Sequence, residues 1–306
     1  MIIVKIYGGL GNQLFQYAFA RSLSLEYNKK FTLDISWFKK QTDTTDLDLP
    51  DKREYLLNNF DIVERYSPPI VSTFIWLVSK ITSKFKVLNN ISKFFLINKY
   101  WPINIAESEY NQCDGNNLIS RKKIILLNGY WQDFKYFEKY KDIIKKELTL
   151  KNILTDENEK YLKKIISSNS VSLHFRRGDA LKPFALKRYA LCSIDYYLES
   201  ISYITKKIHN PIFFVFSDNI EEVKSNLKID YPVVFIKSQG PDYEHLFLMS
   251  QCKHNIIANS TFSWWAAWLN SNPSKIVIAP KKWMVNDNDY HAKIPESWLR
   301  FKNTGN

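Results

Sequence analysis

Two adjacent arginines, with a histidine before them and an aspartate after, form a cluster that could bind an anionic ligand. The cluster reads His174-Phe175-Arg176-Arg177-Gly178-Asp179 and begins within residues 170–175, which we predict to form a strand that ends there. Open α/β sheets bind ligands at the carboxyl ends of their strands. One arginine could then hold a diphosphate bidentately while the other, or His174, contacts another part of the ligand. The alternative is a surface Arg–Asp cluster that only caps the strand.

Two further polar groups follow predicted strands in the second half of the chain. Ser217-Asp218 follows the apolar residues 212–216, and Asn259-Ser260-Thr261-Phe262-Ser263 opens a predicted helix. Hydroxyl groups at a helix N-terminus can bind an anion, and capping alone explains only one of the three hydroxyls. Asp218 has an alternative interpretation as a plain helix N-cap. We expect the three polar groups to converge at one edge of one sheet.

A glycine turn near the N-terminus is a second candidate ligand site. Gly8-Gly9-Leu10-Gly11-Asn12-Gln13-Leu14 joins a predicted strand to a predicted helix, so a ligand could approach the helix N-terminus closely. Asp34 follows at the spacing of a dinucleotide fingerprint, but Leu14 occupies the position of its third glycine. An NAD-dependent oxidoreductase and a purely structural turn remain alternatives. We favour a ligand-facing turn to which Asn12 and Gln13 supply polar side chains.

The pattern of the whole chain predicts an α/β protein of two domains. The 306 residues approach the upper limit for one compact core. Strands alternate with helices from residue 170 to residue 279, which predicts a parallel sheet. We place an N-terminal domain at residues 1–152 and a C-terminal domain at residues 153–306.

The charge is strongly basic, with 43 Lys+Arg against 31 Asp+Glu and a formal net charge of +12. This balance suggests an anionic partner. Residues 65–106 contain six basic residues and no acidic one, and the apolar residues between 74 and 88 recur at helical spacing. We predict a basic amphipathic helical insert there, which either docks on an anionic membrane or packs on the core. A nucleic-acid-binding protein is the alternative class, disfavoured because the aromatic residues fall at core positions.

Three scattered cysteines, Cys113, Cys192 and Cys252, predict neither a disulfide framework nor a zinc site. The first apolar run is too short for a signal peptide, and no stretch reaches the length of a membrane span. We therefore expect a cytoplasmic protein. Asp46-Leu47-Asp48 matches a D-x-D metal-binding pattern, but its polar neighbours favour a solvated loop, and we expect no bound metal.

Four motifs together resemble the bacterial α-1,2-fucosyltransferases of glycosyltransferase family 11. They occur in the family's order and cover nearly the whole chain: Gly8-Gly9-Leu10-Gly11-Asn12-Gln13-Leu14-Phe15-Gln16-Tyr17-Ala18, Asn128-Gly129-Tyr130-Trp131-Gln132-Asp133, His174-Phe175-Arg176-Arg177-Gly178-Asp179 and Asn259-Ser260-Thr261-Phe262-Ser263-Trp264-Trp265. The resemblance implies a GT-B-like fold, in which two Rossmann-like domains face each other across a cleft. It also implies transfer of L-fucose from GDP-β-L-fucose to the 2-hydroxyl of a galactoside, with inversion and without a required metal. The acceptor would be a surface glycan, and a lipid-linked form would be presented at the membrane.

The resemblance also implies roles for individual residues. Arg177 would neutralise the diphosphate of the departing GDP, with Arg176 and His174 beside it. The remaining donor-site residues would be Ser217, Asp218, Asn259, Ser260, Thr261, Phe262 and Ser263. Asn12 and residues 129–133 would face the cleft from the other domain. Arg177, His174 and Asp179 are the predicted catalytic residues, and the general base is left open among Asp179, His174 and Asp133.

Overall fold

The computed structural model describes residues 1–41, 52–68, 73–74, 77, 103–112, 119–237, 240–285 and 294–303, except for the side chains at positions 40, 111, 112, 179 and 184. The chain divides into two compact units. The first contains Met1–Thr42 and Arg53–Thr149, and the second contains Asp43–Lys52 and Leu150–Asn306. Each unit contains a parallel sheet whose strands are joined through helices, which confirms the prediction of an α/β protein.

The first unit has a four-stranded sheet in the order β2-β1-β4-β3. Its strands are parallel, and β1 lies in the middle between β2 and β4. Apolar residues of β1 are fully buried, as expected for a strand covered on both faces. The elements are β1 (Ile2–Lys5), α1 (Leu10–Glu26), β2 (Phe31–Asp34), β3 (Ile103–Ala106), α2 (Glu107–Gln112), β4 (Ile125–Asn128) and α3 (Lys141–Glu147).

The second unit has a six-stranded parallel sheet in the order β10-β9-β8-β5-β6-β7. Its elements are α4 (Asp156–Ile166), β5 (Asn169–Phe175), α5 (Pro183–Leu186), α6 (Ile194–Lys207), β6 (Pro211–Ser217), α7 (Ile220–Asn226), β7 (Val233–Phe235), α8 (Asp242–Gln251), β8 (His254–Ile256), α9 (Thr261–Leu269), β9 (Val277–Pro280) and β10 (Leu299–Phe301). From β5 the chain builds outward to β7 and then returns to place β8 on the other side of β5. The carboxyl ends of β5 and β8 therefore flank a topological switch point, where open α/β sheets bind ligands.

Side-chain caps fix the starting points of two helices in the second unit, α6 and α9. The Ser193 side chain caps α6 by accepting from the Tyr196 backbone N–H, and the Ser260 side chain caps α9 by accepting from the Phe262 backbone N–H. The tryptophans of α9 are largely buried, so this helix is apolar around its circumference, as a core helix must be. The start of α9 is therefore held firmly beside the end of β8.

The structure corrects the sequence prediction at several places. Residues 103–106, at the end of the predicted helical insert, form strand β3, and Tyr66 forms an isolated bridge with Leu33 of β2. Strand β10 was not predicted. Most of the insert lies outside the described residues, as do Asp46, Asp48 and Cys113. Cys192 and Cys252 are buried free thiols.

Candidate active site

The loops after β5, β6 and β8 meet at one edge of the second sheet. Strand β5 pairs with both β6 and β8, so the three strands end side by side. The Arg177 backbone N–H donates to Asp218 Oδ1 at 2.7 Å, which joins the β5 loop to the β6 loop. Arg176 Nη1 donates to the Asn259 carbonyl oxygen at 3.2 Å, which joins the β5 loop to the β8 loop. The three polar groups therefore lie together at the switch point.

Arg177 is held against the first turn of α7. Only 15% of its side chain is exposed, and its Nε lies 3.2 Å from Glu222 Oε1, although without the geometry of a hydrogen bond. Its Nη1 donates to the Cys192 carbonyl oxygen at 3.4 Å. Arginine stays protonated in proteins, so this side chain provides a fixed positive charge close to the end of β5.

Arg176 contacts different elements from Arg177. Its guanidinium carbon lies 4.7 Å from the centroid of the Tyr189 ring, within the range of a cation–π contact. The Tyr189 backbone in turn forms a bridge with Met284. An aromatic face and a backbone carbonyl thus orient Arg176, whereas an acidic side chain accompanies Arg177.

Gly178 is required by the close approach of Asp218. A Cβ atom at position 178 would lie 2.5 Å from Asp218 Oδ2 and 2.9 Å from Asp218 Cγ, well inside van der Waals contact. The carboxylate of Asp218 can reach the Arg177 backbone N–H only because position 178 carries no side chain. The Arg-Arg-Gly pattern thus has a packing reason as well as a chemical one.

Asp218 is not the N-cap of α7, so the capping interpretation of this residue is wrong. Asn219 fills that position, and its Oδ1 accepts from the Glu222 backbone N–H at 3.3 Å. Ser217 Oγ supports the turn by accepting from the Asn219 backbone N–H at 3.1 Å. Asp218 is therefore available to organise the β5 loop.

His174 is almost completely buried at the end of β5, with 8% of its surface exposed. Burial, followed by the nearby charges of Arg176 and His245, lowers the pKa of His174 to about 3. Among the residues that the structure describes, none forms a hydrogen bond with its Nδ1. The ring is therefore neutral at physiological pH and a weak base.

This lowered pKa predicts a specific acid sensitivity. A histidine with an unfolded pKa of 6.5 and a folded pKa of about 3 stabilises the fold above pH 6.5, and that stabilisation is lost as the pH falls toward 3. His174→Gln removes this group, so the free energy of unfolding should fall less steeply than in the wild type between pH 6.5 and pH 4. Urea unfolding at both pH values measures the difference. His209→Gln, at an exposed histidine, is the matched control and should retain the wild-type slope.

Two of the hydroxyls in the β8–α9 loop form hydrogen bonds with the backbone at the start of α9, a role that the sequence predicted for only one of them. Ser260 Oγ caps α9, and Ser263 Oγ donates weakly to the carbonyl oxygens of Ala258 and Ser260, at 3.5 and 3.4 Å. Local backbone contacts thus account for two of the three hydroxyls. Asn259 is buried, and its amide donates to the Trp283 carbonyl oxygen at 3.2 Å. The backbone carbonyl oxygen of Asn259 accepts from Arg176, so this loop contacts the arginine pair mainly through its backbone.

In the first unit, Asn12 and Gln13 have different roles. Gln13 is fully buried, and its side chain bonds to the backbone of Gly8, Glu54 and Leu56. The expectation that Gln13 faces a ligand is therefore wrong, because the amide is already used to fix the chain. Asn12 Oδ1 accepts from Gln132 Nε2 at 2.8 Å and so joins the first and second sequence motifs.

Glu107, which the sequence did not single out, holds the loop after β4. Its buried Oε2 accepts from the backbone N–H groups of Tyr130 and Trp131, at 2.9 and 2.7 Å. Burial is the largest effect on the pKa of Glu107 and raises it. Trp131 has a φ of 57°, an uncommon conformation for a bulky residue, and Glu107 stabilises it. The loop that carries Gln132 is thus fixed by a carboxylate.

The candidate general bases are only partly defined by the structure. Asp133 Oδ1 accepts from the Lys135 backbone N–H at 3.0 Å and caps the short turn Phe134–Tyr136. Asp179 lies in the turn Gly178–Leu181, but its side chain lies outside the described part of the chain. Geometry therefore selects neither carboxylate.

Three residues near the predicted motifs were missed: Glu222, Tyr189 and Glu107. Asn219-x-x-Glu222 has the spacing of a helix capping box, a signal that predicts the helix start but not the contact with Arg177. Tyr189 and Glu107 carry no local pattern that would have singled them out. Their contacts depend on the fold, not on spacing along the sequence.

Two parallel-sheet α/β units, the second with paired arginines at its switch point, have the architecture of the GT-B fold. A mutant of Arabidopsis thaliana FUT1 solved in complex with GDP has a similar fold. It superimposes with a TM-score of 0.53 over 91% of this chain and 70% of that chain, at 12% sequence identity.

The chain belongs to glycosyl transferase family 11, whose family model matches residues 1–302. It is 34% identical to an α-1,2-colitosyltransferase of Escherichia coli, over 99% of both chains. It is 32% identical to the O-antigen biosynthesis glycosyltransferase WbnK of Escherichia coli, over 95% of this chain and 97% of that protein. The bovine galactoside 2-α-L-fucosyltransferase SEC1 is 27% identical over 53% of this chain and 45% of its own length.

Proposed function

We propose that the protein transfers L-fucose from GDP-β-L-fucose to the 2-hydroxyl of a terminal galactoside, with inversion at the transferred carbon. The observation that carries this proposal is the arginine pair at the carboxyl end of β5, in which the Arg177 side chain is mostly buried. A guanidinium held in this way suits a diphosphate, because it stays charged and offers a planar fork of donors. Similarity to a galactoside 2-α-L-fucosyltransferase over half of the chain supports the acceptor and the linkage.

The site residues would act mainly on the leaving group. Breaking the sugar–phosphate bond places negative charge on GDP and positive character on the sugar. Arg177 and Arg176 would neutralise the diphosphate most strongly at the moment it departs, which lowers the barrier more than uniform binding would. Asp218 fixes the Arg177 backbone, and the neutral His174 ring would lie beside the arginines at the donor site. Ser217, Thr261, Phe262 and the Asn259 backbone would line the remaining donor surface.

The general base is proposed to be a carboxylate. An imidazole with a pKa of about 3 has little affinity for a proton at neutral pH, which disfavours His174. Asp179 and Asp133 are the two candidates. The variants Asp179→Asn and Asp133→Asn would separate them, since only replacement of the base should abolish turnover while donor binding is kept.

Colitose is the alternative to fucose as the transferred sugar. The 34% identity to an α-1,2-colitosyltransferase extends over the whole chain, whereas the similarity to the bovine fucosyltransferase covers half of it. Both names share the α-1,2 linkage, which favours that linkage for this protein too. We propose fucose as the donor sugar and treat colitose as the alternative that a direct comparison of donors must exclude.

We propose that transfer needs no divalent metal, because the arginine pair can neutralise the diphosphate. Turnover in excess EDTA should then equal turnover with added Mg²⁺ or Mn²⁺. Loss of turnover in EDTA, with recovery on adding the metal, would contradict the arginine account of leaving-group stabilisation.

A transfer assay tests the proposed function directly. The protein is incubated with GDP-fucose or a colitosyl donor and with labelled lactose, lacto-N-biose or Galβ1-3GalNAc, and the product linkage is determined. We expect fucose on the 2-hydroxyl of galactose in at least one acceptor. Transfer of colitose without transfer of fucose would show that the donor sugar is colitose. A product with another linkage would overturn the proposed transfer to the 2-hydroxyl.

A cytoplasmic enzyme acting on a lipid-linked acceptor would work at a membrane surface. No helix in the described part of the chain is long and apolar enough to cross a bilayer. The basic segment of residues 65–106 motivates the proposal of peripheral contact with anionic lipid. Flotation with anionic vesicles at low salt tests it, and absence of binding would contradict it.

A further inference from the structure

We infer that Glu222 is a positioning residue for Arg177, which it orients toward the phosphate groups of a nucleotide-sugar donor. The inference rests on the proposed function, because it gives Arg177 a donor to bind. Glu222 lies on α7, outside the four sequence motifs and 45 positions beyond Arg177 in the chain. It is the acidic side chain that the structure places against this guanidinium.

The carboxylate of Glu222 is itself held in place. Its Oε2 accepts from Asn219 Nδ2 at 3.2 Å, while its Oε1 faces Arg177 Nε at 3.2 Å. Asn219 is the N-cap of α7, so the carboxylate is tied to the start of a helix and not to a mobile loop. About a third of the Glu222 side chain is exposed, at 33%, against 15% for Arg177. The pair therefore lies at the edge of the site, with the arginine on the inner side.

The guanidinium is constrained on two sides. Glu222 faces its Nε, and the Cys192 carbonyl oxygen accepts from its Nη1. A planar fork that donates from Nη1 and has a carboxylate 3.2 Å from its Nε is restricted in orientation, so the rest of its donors can meet a diphosphate with a smaller loss of side-chain freedom. Removing the Glu222 side chain would leave the charge of Arg177 in place, but the guanidinium plane would be freer to rotate.

The negative charge of Glu222 also repels a diphosphate, so orientation and charge act in opposite directions. Because Glu222 is partly exposed, water and salt screen its long-range repulsion of a diphosphate more than they screen its 3.2 Å contact with Arg177. We therefore expect orientation to dominate. Glu222→Ala should weaken GDP binding by about tenfold and raise the donor KM, with the acceptor KM unchanged. Glu222→Gln, which keeps an oxygen toward Arg177, should lose less.

A double-mutant cycle separates this role from a structural one. GDP affinity is measured by calorimetry for the wild type, Glu222→Ala, Arg177→Lys and the double variant. Lysine carries the charge but has no planar fork to orient, so Glu222→Ala should cost nothing in the lysine background. The fold should survive, because the cap of α7 uses the Glu222 backbone N–H and not its side chain. Glu221→Gln, at an exposed neighbour that pairs with Lys237, is the control and should bind GDP like the wild type.

The outcomes distinguish this inference from the proposed function. A tenfold loss confined to the arginine background supports the positioning role. An equal loss in both backgrounds, or unchanged or tighter binding in Glu222→Ala, overturns it while leaving the proposed function intact. Failure of the wild type to bind GDP would overturn the proposed function and this inference with it.

Discussion

Arg177→Ala should reduce the rate of sugar transfer by about 1000-fold while the protein remains folded. The alanine removes a mostly buried cation from the end of β5, so in the proposed mechanism the charge that develops on the departing diphosphate would lose a fixed partner. Because this charge is largest in the transition state, kcat should fall more than the donor KM rises. Initial rates with GDP-fucose and a galactoside acceptor measure both parameters.

Two comparisons make this result interpretable. Arg121→Ala removes the same charge from an exposed position in the first unit and should leave turnover close to that of the wild type. Arg177→Lys keeps the charge but loses the fork and should fall between the wild type and Arg177→Ala. Equal losses in Arg177→Ala and Arg121→Ala would show that net charge, not the site, governs the rate.

Gly178→Ala should weaken donor binding by about 100-fold, although it adds only one methyl group. The new Cβ would meet the Asp218 carboxylate at 2.5 Å, so the carboxylate must rotate away from the Arg177 backbone N–H. The loop that carries both arginines then loses its link to β6. Calorimetric titration with GDP measures the loss, and thermal unfolding shows whether the second unit stays folded.

The cause of that loss can be checked with a second substitution. Asp218→Ala removes the carboxylate with which a Cβ at position 178 would clash, and it also removes the hydrogen bond from the Arg177 backbone N–H. Gly178→Ala should therefore add little to the effect of Asp218→Ala when the two are combined. Independent, multiplying losses in the double variant would mean that Gly178 matters for a reason other than its contact with Asp218.

The parallel strands of the second unit were predictable because their side chains are buried on both faces. Residues 212–216 form a continuous apolar run, whereas residues 170–175 alternate small or polar residues with Val171, Leu173 and Phe175. The structure forms β6 and β5 there, with ends shifted by at most one residue. Strands β3 and β10 are short and lie at the sheet edges, where one-sided pairing leaves a weaker pattern. Ile103–Ala106 also follows a basic segment whose helical periodicity dominated the prediction.

The positions of the motifs were easier to predict than the roles of their polar side chains. Gln13 and Ser263 sit among ligand-type residues, yet both side chains satisfy nearby backbone groups. Sequence alone cannot distinguish these uses, because an amide or a hydroxyl suits either. Glu222 is the reverse case, since its neighbours suggest only a helix start while folding brings it to Arg177. Contacts between distant segments decide which polar groups remain for a ligand.

We expect the switch point of the second sheet to bind GDP through Arg177. Calorimetric titration of GDP into the wild type and into Arg177→Ala, with NAD titrated in parallel, tests it most directly. GDP should bind the wild type saturably and the variant about 100-fold more weakly, and NAD should not bind. Binding of NAD without GDP, or equal GDP affinity in both proteins, would contradict it.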